Sequence, residues 1–176
     1  MSGLTTKTIR SLRALPITTK EYEAYGKVLT LDGDLAKKTE KANYGTADRV
    51  RHVVDMINPR PNAKLNVALY RCHAQTLPLL VEKMERHAHS PQVFVPTKTT
   101  RYLVVVALGE KTIDISSIRA FIVPPGISIS YFPGVWHHPM IALDETSDFV
   151  SLVWDDGTAG DCDELGLPPE AHTLVM

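Results

Sequence analysis

The composition of this chain is that of an ordinary globular protein. It has 176 residues, of which 44% are hydrophobic and 22% are charged, so large-scale disorder is not expected. Its 19 basic and 20 acidic residues leave a net charge of −1. A chain so close to neutral has no strong field to attract nucleic acid or an anionic membrane surface, and we expect a small molecule as its binding partner.

The cysteines and the apolar runs indicate a cellular compartment. The two cysteines, Cys72 and Cys162, do not form a C-x-x-C pair, which argues against a disulfide framework and suits a reducing environment. No apolar run reaches the roughly 18 residues that a membrane-spanning helix needs. The N-terminal stretch also lacks the apolar segment of a signal peptide. We therefore expect a cytoplasmic protein with no membrane partner.

The first part of the chain combines short extended runs with one helix. "SLRALPI" alternates like a strand, and "TTKEYEAYG" predicts a short helix that Thr18 and Glu21 cap at its start and Gly26 closes. "KVLTL" resumes an extended conformation. Residues 34–41 are polar, with no clear apolar face, and we interpret them as a surface loop or a frayed helical turn.

From residue 48 onward, short apolar runs and turn residues follow each other closely. The runs are "LNVALYR", "PLLVEKMERH", "QVFVP", "RYLVVVAL", "IRAFIV", "ISISYF", "MIAL" and "DFVSLVW". Many short strands at close spacing predict an all-β sandwich or small barrel. We expect one domain over residues 1–176, with its core at about residues 12–155 and a loop-rich C-terminal tail.

Two stretches carry histidines that could do chemistry. The first, "ERHAHSPQVFVPTK", contains His87, His89, Gln92 and Lys98. In a strand His87 and His89 would project from the same face, whereas in a helix residues two apart diverge. The strand-like surroundings favour the former, and a solvent-exposed polar loop is the alternative.

The second stretch is "YFPGVWHHPM", from Tyr131 to Met140. Pro139 biases His138 toward an extended conformation, and extended neighbours point to opposite faces of a sheet. We therefore expect one of the two histidines, His137, to enter the interior while His138 supports it from outside. The alternative is two half-buried histidines that bind backbone groups.

The order of these features resembles the two cupin motifs. A histidine cluster with a glutamine on one strand is followed, farther along the chain, by a Pro-Gly turn and another histidine. The resemblance implies a double-stranded β-helix, or jelly-roll barrel, with a few short peripheral helices. In this fold the metal ligands or catalytic groups lie inside the barrel.

Several stretches taken together more closely resemble the ureidoglycolate lyase family. They are "EAYGKVL", "ANYGTADR", "ERH" with "QVFVPTK", "VVVAL", "IRAFIV", "YFPGVWHHPMIAL" and "DFVSLVW", which cover about residues 15–165. The resemblance implies a homodimer that converts (S)-ureidoglycolate to glyoxylate and urea in allantoin breakdown. It also implies a divalent metal, with nickel favoured, and leaves a metal-free site open.

The resemblance assigns metal ligands. They would be His87, Gln92 and His137; His89 is doubtful, because the family stretch has no histidine at its position. A neutral amide is a weaker ligand than a carboxylate, so the metal would be labile.

The chemistry of the reaction assigns further roles within this hypothesis. Histidine titrates near neutral pH, which suits proton transfer. His137 would be the base or a metal ligand, and His87, also a predicted catalytic residue, would contact the substrate or the metal. Tyr131 would bind the ureido group or relay a proton, and Lys98 would anchor the substrate carboxylate. The other predicted substrate contacts are Arg49, Arg71, Gln92 and His138.

Two other functions remain open on the sequence. One is a different metal-dependent cupin enzyme, such as a dioxygenase or an isomerase. The other is a cupin that binds a small ligand without catalysis. Among ureidoglycolate-consuming enzymes, a hydrolase that releases ammonia is a further alternative to the lyase.

Overall fold

The computed structural model describes residues 10–176, which consist mainly of β-strands. In chain order the strands are β1 (Arg10–Leu12), β2 (Leu15–Pro16), β3 (Gly26–Leu29), β4 (Glu40–Ala42), β5 (Ala47–Arg49), β6 (Lys64–Cys72), β7 (Leu79–Val81), β8 (Lys83–Arg86), β9 (Gln92–Lys98), β10 (Tyr102–Ala107), β11 (Arg119–Val123), β12 (Ser128–Tyr131), β13 (Trp136–His137), β14 (Ile141–Ala142), β15 (Ser147–Asp155), β16 (Asp163–Gly166) and β17 (Thr173–Val175). One α-helix, α1, spans Thr19–Tyr22, and 3-10 helices span Ala36–Lys38, Asn43–Gly45, Ile115–Ser117, Ala159–Asp161 and Pro169–Ala171. The all-β prediction is confirmed.

The predicted domain and the N-terminal stretch both include residues 1–9, which lie outside the described residues. That residues 1–176 form one domain stays a prediction. Within residues 10–176, no helix has the length and apolar character that crossing a membrane requires.

Two large sheets enclose the interior of the protein. The first sheet has the strand order β16-β8-β13-β10-β11-β2, with β14 beside β10, and the second has the order β3-β12-β9-β15-β6. Going from β8 to β15, the chain passes repeatedly from one sheet to the other. This winding is that of a double-stranded β-helix, and the helices around it are short, so the predicted cupin fold is confirmed.

Strand β10 is buried on both faces. Tyr102 points into the barrel and packs edge-on against Phe149 of the second sheet, with ring centroids 5.2 Å apart. Leu103 and Val105 point the other way, into a second apolar cluster that includes Val175. A strand buried on both faces needs a continuous apolar run rather than an alternating one, which explains the "YLVVVA" segment.

The C-terminal residues belong to the core, so the prediction that the core ends at about residue 155 is wrong. Strand β16 pairs with β8, and β17 lies between β1 and β7 in a third sheet that covers the first. Thr173 and Val175 are fully buried. The strands are only three or four residues long, too short to show a clear alternation in the sequence.

The predicted helix exists but ends earlier than its sequence pattern indicates. The Thr18 hydroxyl accepts a hydrogen bond from the Glu21 N–H at 3.2 Å, as an N-cap does. The last helical residue is Tyr22, so Gly26 is not the C-terminal cap. Gly26 instead begins β3, where a Cβ atom would lie 1.7 Å from the carbonyl oxygen of Ser130.

Replacing Gly26 with alanine should therefore disrupt the pairing of β3 with β12. We expect Gly26→Ala to lower the free energy of unfolding by at least about 2 kcal/mol, because backbone atoms would have to move. Urea denaturation followed by circular dichroism measures the effect. Gly166→Ala is the matched control, since its Cβ would meet nothing closer than 4.0 Å; equal stability of the two variants would contradict the prediction.

Candidate active site

Five side chains from both sheets meet inside the barrel. His137 on β13 lies directly opposite Glu85 on β8, and Tyr131 on β12 lies opposite Gln92 on β9. Directly opposite residues project from the same face of a sheet, so each pair enters the interior together. His87 follows β8 by one residue, and its ring centroid is 5.8 Å from that of His137.

The Pro-Gly turn connects the two histidine stretches. Gly134 has a φ of +80°, a conformation that glycine adopts at little cost. Its N–H donates a 2.8 Å hydrogen bond to the carbonyl oxygen of His87. The turn therefore holds the start of β13 against the end of β8, which brings the His137 and His87 rings near each other.

The two adjacent histidines differ in burial. His137 is only 2% exposed and stacks on Tyr131, with ring centroids 4.0 Å apart and an interplanar angle of 9°. His138 is partly exposed, and its Nδ1 lies 2.8 Å from the carbonyl oxygen of Pro139. Trp136 joins the apolar cluster on the outer side of the first sheet, as residues two apart in a strand share a face.

Backbone carbonyl groups set the proton positions on both inner imidazoles. His87 Nδ1 lies 2.8 Å from the carbonyl oxygen of Asp161, and His137 Nδ1 lies 3.0 Å from that of Val135. A carbonyl oxygen only accepts, so Nδ1 carries the proton in each neutral ring. The Nε2 atom of each ring is left with a lone pair for a proton or a metal ion.

Three buried polar atoms of the cluster have no hydrogen-bond partner among the described residues. They are His137 Nε2, Gln92 Oε1 and the Tyr131 hydroxyl. The Gln92 amide nitrogen is occupied, since it donates to the Ser151 hydroxyl at 3.3 Å. Buried polar groups without partners are rare and costly, so this grouping is typical of a site that binds a polar ligand.

The charges in the cluster differ from residue to residue. Burial lowers the pKa of His87, and the nearby His137 lowers it further, so His87 is neutral at neutral pH. Burial alone would raise the pKa of Glu85, but its interaction with His137, with Oε1 and Nε2 3.6 Å apart, outweighs this and lowers it. Burial raises the pKa of Tyr131 well above its usual range, so Tyr131 stays protonated and can donate.

The donor atoms of the cluster suit a divalent metal ion. Among residues 10–176, no three Asp, Glu, His or Cys side chains are arranged as a metal site, so His87 and His137 would need a third ligand of another type to hold an ion. Gln92 Oε1 meets this need beside His87 and His137, because it is buried and lacks a partner. Two imidazole nitrogens and an amide oxygen suit nickel and its neighbours among the divalent metals.

The sequence as a whole decides the family. A sequence model of ureidoglycolate lyase matches residues 9–174, which is nearly the full length. The chain belongs to the ureidoglycolate lyase family. Ureidoglycolate lyases of Escherichia coli O1:K1 / APEC and of Shigella boydii serotype 18 (strain CDC 3083-94 / BS512) are each 30% identical to it, over 90% of this chain and 96% of theirs. The family resemblance is confirmed.

Solved structures of other enzymes are more distantly similar. A dTDP sugar isomerase from Desulfovibrio desulfuricans G20 is 14% identical, with a TM-score of 0.47 over 82% of this chain and 84% of its own. A 3,4-ketoisomerase from Helicobacter canadensis is 13% identical, with a TM-score of 0.45 over 78% and 89%. A likeness at this level carries no information about activity.

Lys98, which was predicted to bind the substrate carboxylate, does not lie with the cluster. A β-bulge between Asp148 and Phe149 shifts the register, and Lys98 pairs with Asp148 at an exposed end of β9. Lys98 is six positions farther along the strand than Gln92, a distance of roughly 20 Å. The alternation that places Gln92 inside therefore does not extend to Lys98.

The two predicted arginines and His89 also lie away from the cluster. Arg71 is exposed and forms a bidentate ion pair with Asp148, at 2.8 and 2.9 Å. Arg49 is on the β4–β5 hairpin, where it pairs with Glu40 at 3.2 Å. His89 is exposed, because the chain leaves β8 at Arg86 and the same-face rule for strands no longer applies to it.

Glu85 is the site residue that the sequence analysis missed. It stands two residues before His87 in "ERH", a spacing that places both side chains on one face of an extended chain. That spacing was the available signal. It was not enough by itself, because a glutamate is far more often exposed than buried. Only the pairing of β8 with β13 shows that Glu85 faces His137.

The pKa shifts predict a loss of stability in mild acid. The pKa values of His87 and His138 are lowered, mainly by burial, so the unfolded chain binds protons more readily than the folded one. Stability should fall as the pH drops from about 8 through the unfolded histidine pKa of about 6.5. Thermal denaturation across this range measures it.

In the same experiment, His87→Gln should show a shallower pH dependence than the unmodified protein. His73→Gln is the matched control, because His73 is exposed and its removal should leave the slope unchanged. A His87→Gln slope equal to that of the unmodified protein would contradict the assignment of His87 as a buried neutral group.

Proposed function

We propose that this protein is a ureidoglycolate lyase, which releases urea from (S)-ureidoglycolate and leaves glyoxylate. The observation that carries the proposal is the match of the family over residues 9–174, which makes the protein an enzyme of the lyase class. The buried group of Glu85, His87, Gln92, Tyr131 and His137 supports it, because it offers acid, base and hydrogen-bonding groups in one interior site. The reaction would serve allantoin and purine nitrogen breakdown.

The elimination needs a proton to move from oxygen to nitrogen. The reacting carbon of ureidoglycolate carries a hydroxyl group, a ureido nitrogen and a carboxylate. As the C–N bond breaks, the hydroxyl oxygen forms a C=O bond and loses its proton, and the departing urea nitrogen gains one. A single base that takes the first proton and returns it to nitrogen balances the reaction.

Glu85 is the base in this proposal when His137 binds a metal ion. A glutamate carboxyl has an ordinary pKa of about 4.3, so the Glu85 carboxylate, 3.6 Å from His137 Nε2, is ionised at neutral pH and can accept the hydroxyl proton. The Tyr131 hydroxyl is buried and protonated, and it would donate a hydrogen bond to the ureido group. His137 would then be a metal ligand beside Glu85, and Glu85 would take the proton.

A divalent metal, with nickel favoured, is part of the proposal, and His87, Gln92 and His137 would hold it. The bound ion would supply Lewis-acid attraction for the substrate's carboxylate and hydroxyl oxygens. The substrate carboxylate needs a positive partner, and Lys98, Arg49 and Arg71 do not line the cluster. The metal ion would take their place. The neutral amide of Gln92 makes this metal labile.

The proposed activity is tested with purified protein and ureidoglycolate. We expect equal amounts of glyoxylate and urea, with activity that falls on chelation and returns on adding Ni²⁺. Glu85→Gln should lower kcat by about 100-fold or more, as the loss of a general base does. Glu145→Gln, which alters an exposed carboxylate, should leave kcat unchanged.

Other outcomes of this assay would overturn the proposal. Ammonia without urea would mean amide hydrolysis, and oxygen consumption or isomerised product would mean another metal-dependent cupin enzyme. No turnover with or without added metal would leave a non-catalytic ligand-binding cupin. Full activity of Glu85→Gln would reject Glu85 as the base without rejecting the lyase.

We also propose that the protein is a homodimer, in the cytoplasm. Its thiols, Cys72 and Cys162, are free, as in a reducing compartment. The outer face of β6 supports the dimer, because Leu65, Val67 and Leu69 are 43%, 67% and 82% exposed. Val150 and Leu152 on β15 pair with Leu69 and Val67 and extend this apolar face across the sheet.

A second copy fits this face best, because an apolar surface complements itself across a two-fold axis. Light scattering should give the mass of two chains for the unmodified protein, and of one chain for the double variant Val67→Glu, Leu69→Glu. Leu31→Glu, a change of an exposed leucine outside this face, should stay dimeric. A monomeric unmodified protein would reject the homodimer.

A further inference from the structure

An ion pair behind the active site is unusually well buried. Arg60 Nη1 lies 2.6 Å from Asp161 Oδ1 and 3.3 Å from Asp156 Oδ2. The side chains of Arg60, Asp156 and Asp161 are 17%, 19% and 14% exposed. Among the Lys and Arg ion pairs of residues 10–176, both partners are less than a fifth exposed only in the two pairs that Arg60 forms. Surface pairs contribute little, whereas a buried pair fixes the geometry of its surroundings.

The Asp161 carboxylate closes the loop that follows β15. One oxygen accepts a hydrogen bond from the Asp156 N–H at 2.9 Å, and the other accepts from the Gly157 N–H at 2.7 Å. Arg60 adds a third bond to this carboxylate and also donates to the Trp154 carbonyl oxygen at 3.2 Å. Residues 154–161 are thus held from both ends by one arginine.

The backbone of Asp161 reaches the active site. Its carbonyl oxygen accepts the hydrogen bond of His87 Nδ1 at 2.8 Å. This bond keeps the proton on Nδ1 and leaves the Nε2 lone pair of His87 for the interior. The Asp161 side chain, one residue's length from this carbonyl, is held by Arg60 and by the N–H groups of Asp156 and Gly157.

We propose that Arg60 is a positioning residue for His87. Through Asp161 it fixes the tautomer and the orientation of the His87 ring, without touching the substrate. The effect on catalysis rests on the proposed lyase function, but the effect on the tautomer does not. The two can therefore be measured separately.

The guanidinium fork is what this role requires. One Arg60 side chain contacts two carboxylates and a backbone carbonyl at once, and a lysine keeps the charge but not these directions. Arg60→Lys therefore preserves the neutralisation of Asp156 and Asp161 while loosening their placement. Arg60→Ala leaves both buried carboxylates unpaired and would confound positioning with loss of folding.

The direct test is nitrogen NMR of histidine-labelled protein, freed of metal by chelation, at about pH 8, where His87 is neutral. A metal ion on Nε2 would itself keep the proton on Nδ1, so it is removed first. In the unmodified protein, the His87 signals should report a proton on Nδ1. In Arg60→Lys and in Asp161→Asn, both tautomers of His87 should be populated. Arg101→Ala is the matched control, because it removes an exposed bidentate ion pair with Asp144, and it should leave the His87 signals unchanged.

The kinetic arm uses the same variants with ureidoglycolate. Arg60→Lys should lower kcat/KM by about 10- to 100-fold, the range seen when a ligand histidine loses its outer hydrogen-bond partner. An unchanged His87 tautomer in folded Arg60→Lys and Asp161→Asn would overturn the positioning role. Altered tautomers in a protein whose unmodified form shows no turnover would keep the positioning role and reject the lyase instead.

Discussion

The active site depends on the antiparallel pairing of β13 with β8. This short ladder places His137 directly opposite Glu85, and the hydrogen bond from the Gly134 N–H to the His87 carbonyl holds the same two segments together. Without this pairing, the Glu85 carboxylate and the imidazoles of His87 and His137 would have no fixed relative geometry. A shift of the register by one residue would turn His137 outward. The site therefore requires this register.

The rest of the barrel supports that ladder from both sides. Strand β10 pairs with β13 and is buried on both faces, so β13 cannot shift without disturbing two apolar clusters. The third sheet, with β17 at its centre, covers the outer cluster. On the inner side, Tyr131 lies flat against the His137 ring and limits its rotation. Packing thus supplies the rigidity that the short β13 cannot supply alone.

The electrostatics of the interior follow from burial more than from charge. Desolvation keeps His87 neutral and Tyr131 protonated, while Glu85 stays ionised through its histidine neighbour. The interior therefore combines a carboxylate, a hydroxyl donor and unpaired acceptor atoms. Arg49 and Arg71, which the sequence suggested for the substrate, lie on the outside and are paired with carboxylates. Where Arg60 is concerned, a buried arginine acts on the site through the backbone of Asp161 rather than through its own charge.

The sequence by itself determined the features that follow from local rules. Close spacing of short apolar runs predicted the all-β fold, and the period of two in extended chains predicted that His137 and His138 would lie on opposite faces. Gln92 and Tyr131 were predicted for the site because they stand in the same stretches as the histidines.

Only the tertiary structure decided what depends on pairing between distant segments. Lys98 lies at the exposed end of β9, beyond the bulge between Asp148 and Phe149, and the β8–β13 register brought Glu85 into the interior. The contact of Arg60 with Asp161 joins residues 101 positions apart, and no local pattern encodes it. Register, bulges and long-range ion pairs are set by the free energy of the whole fold, so they can be read only from the folded chain.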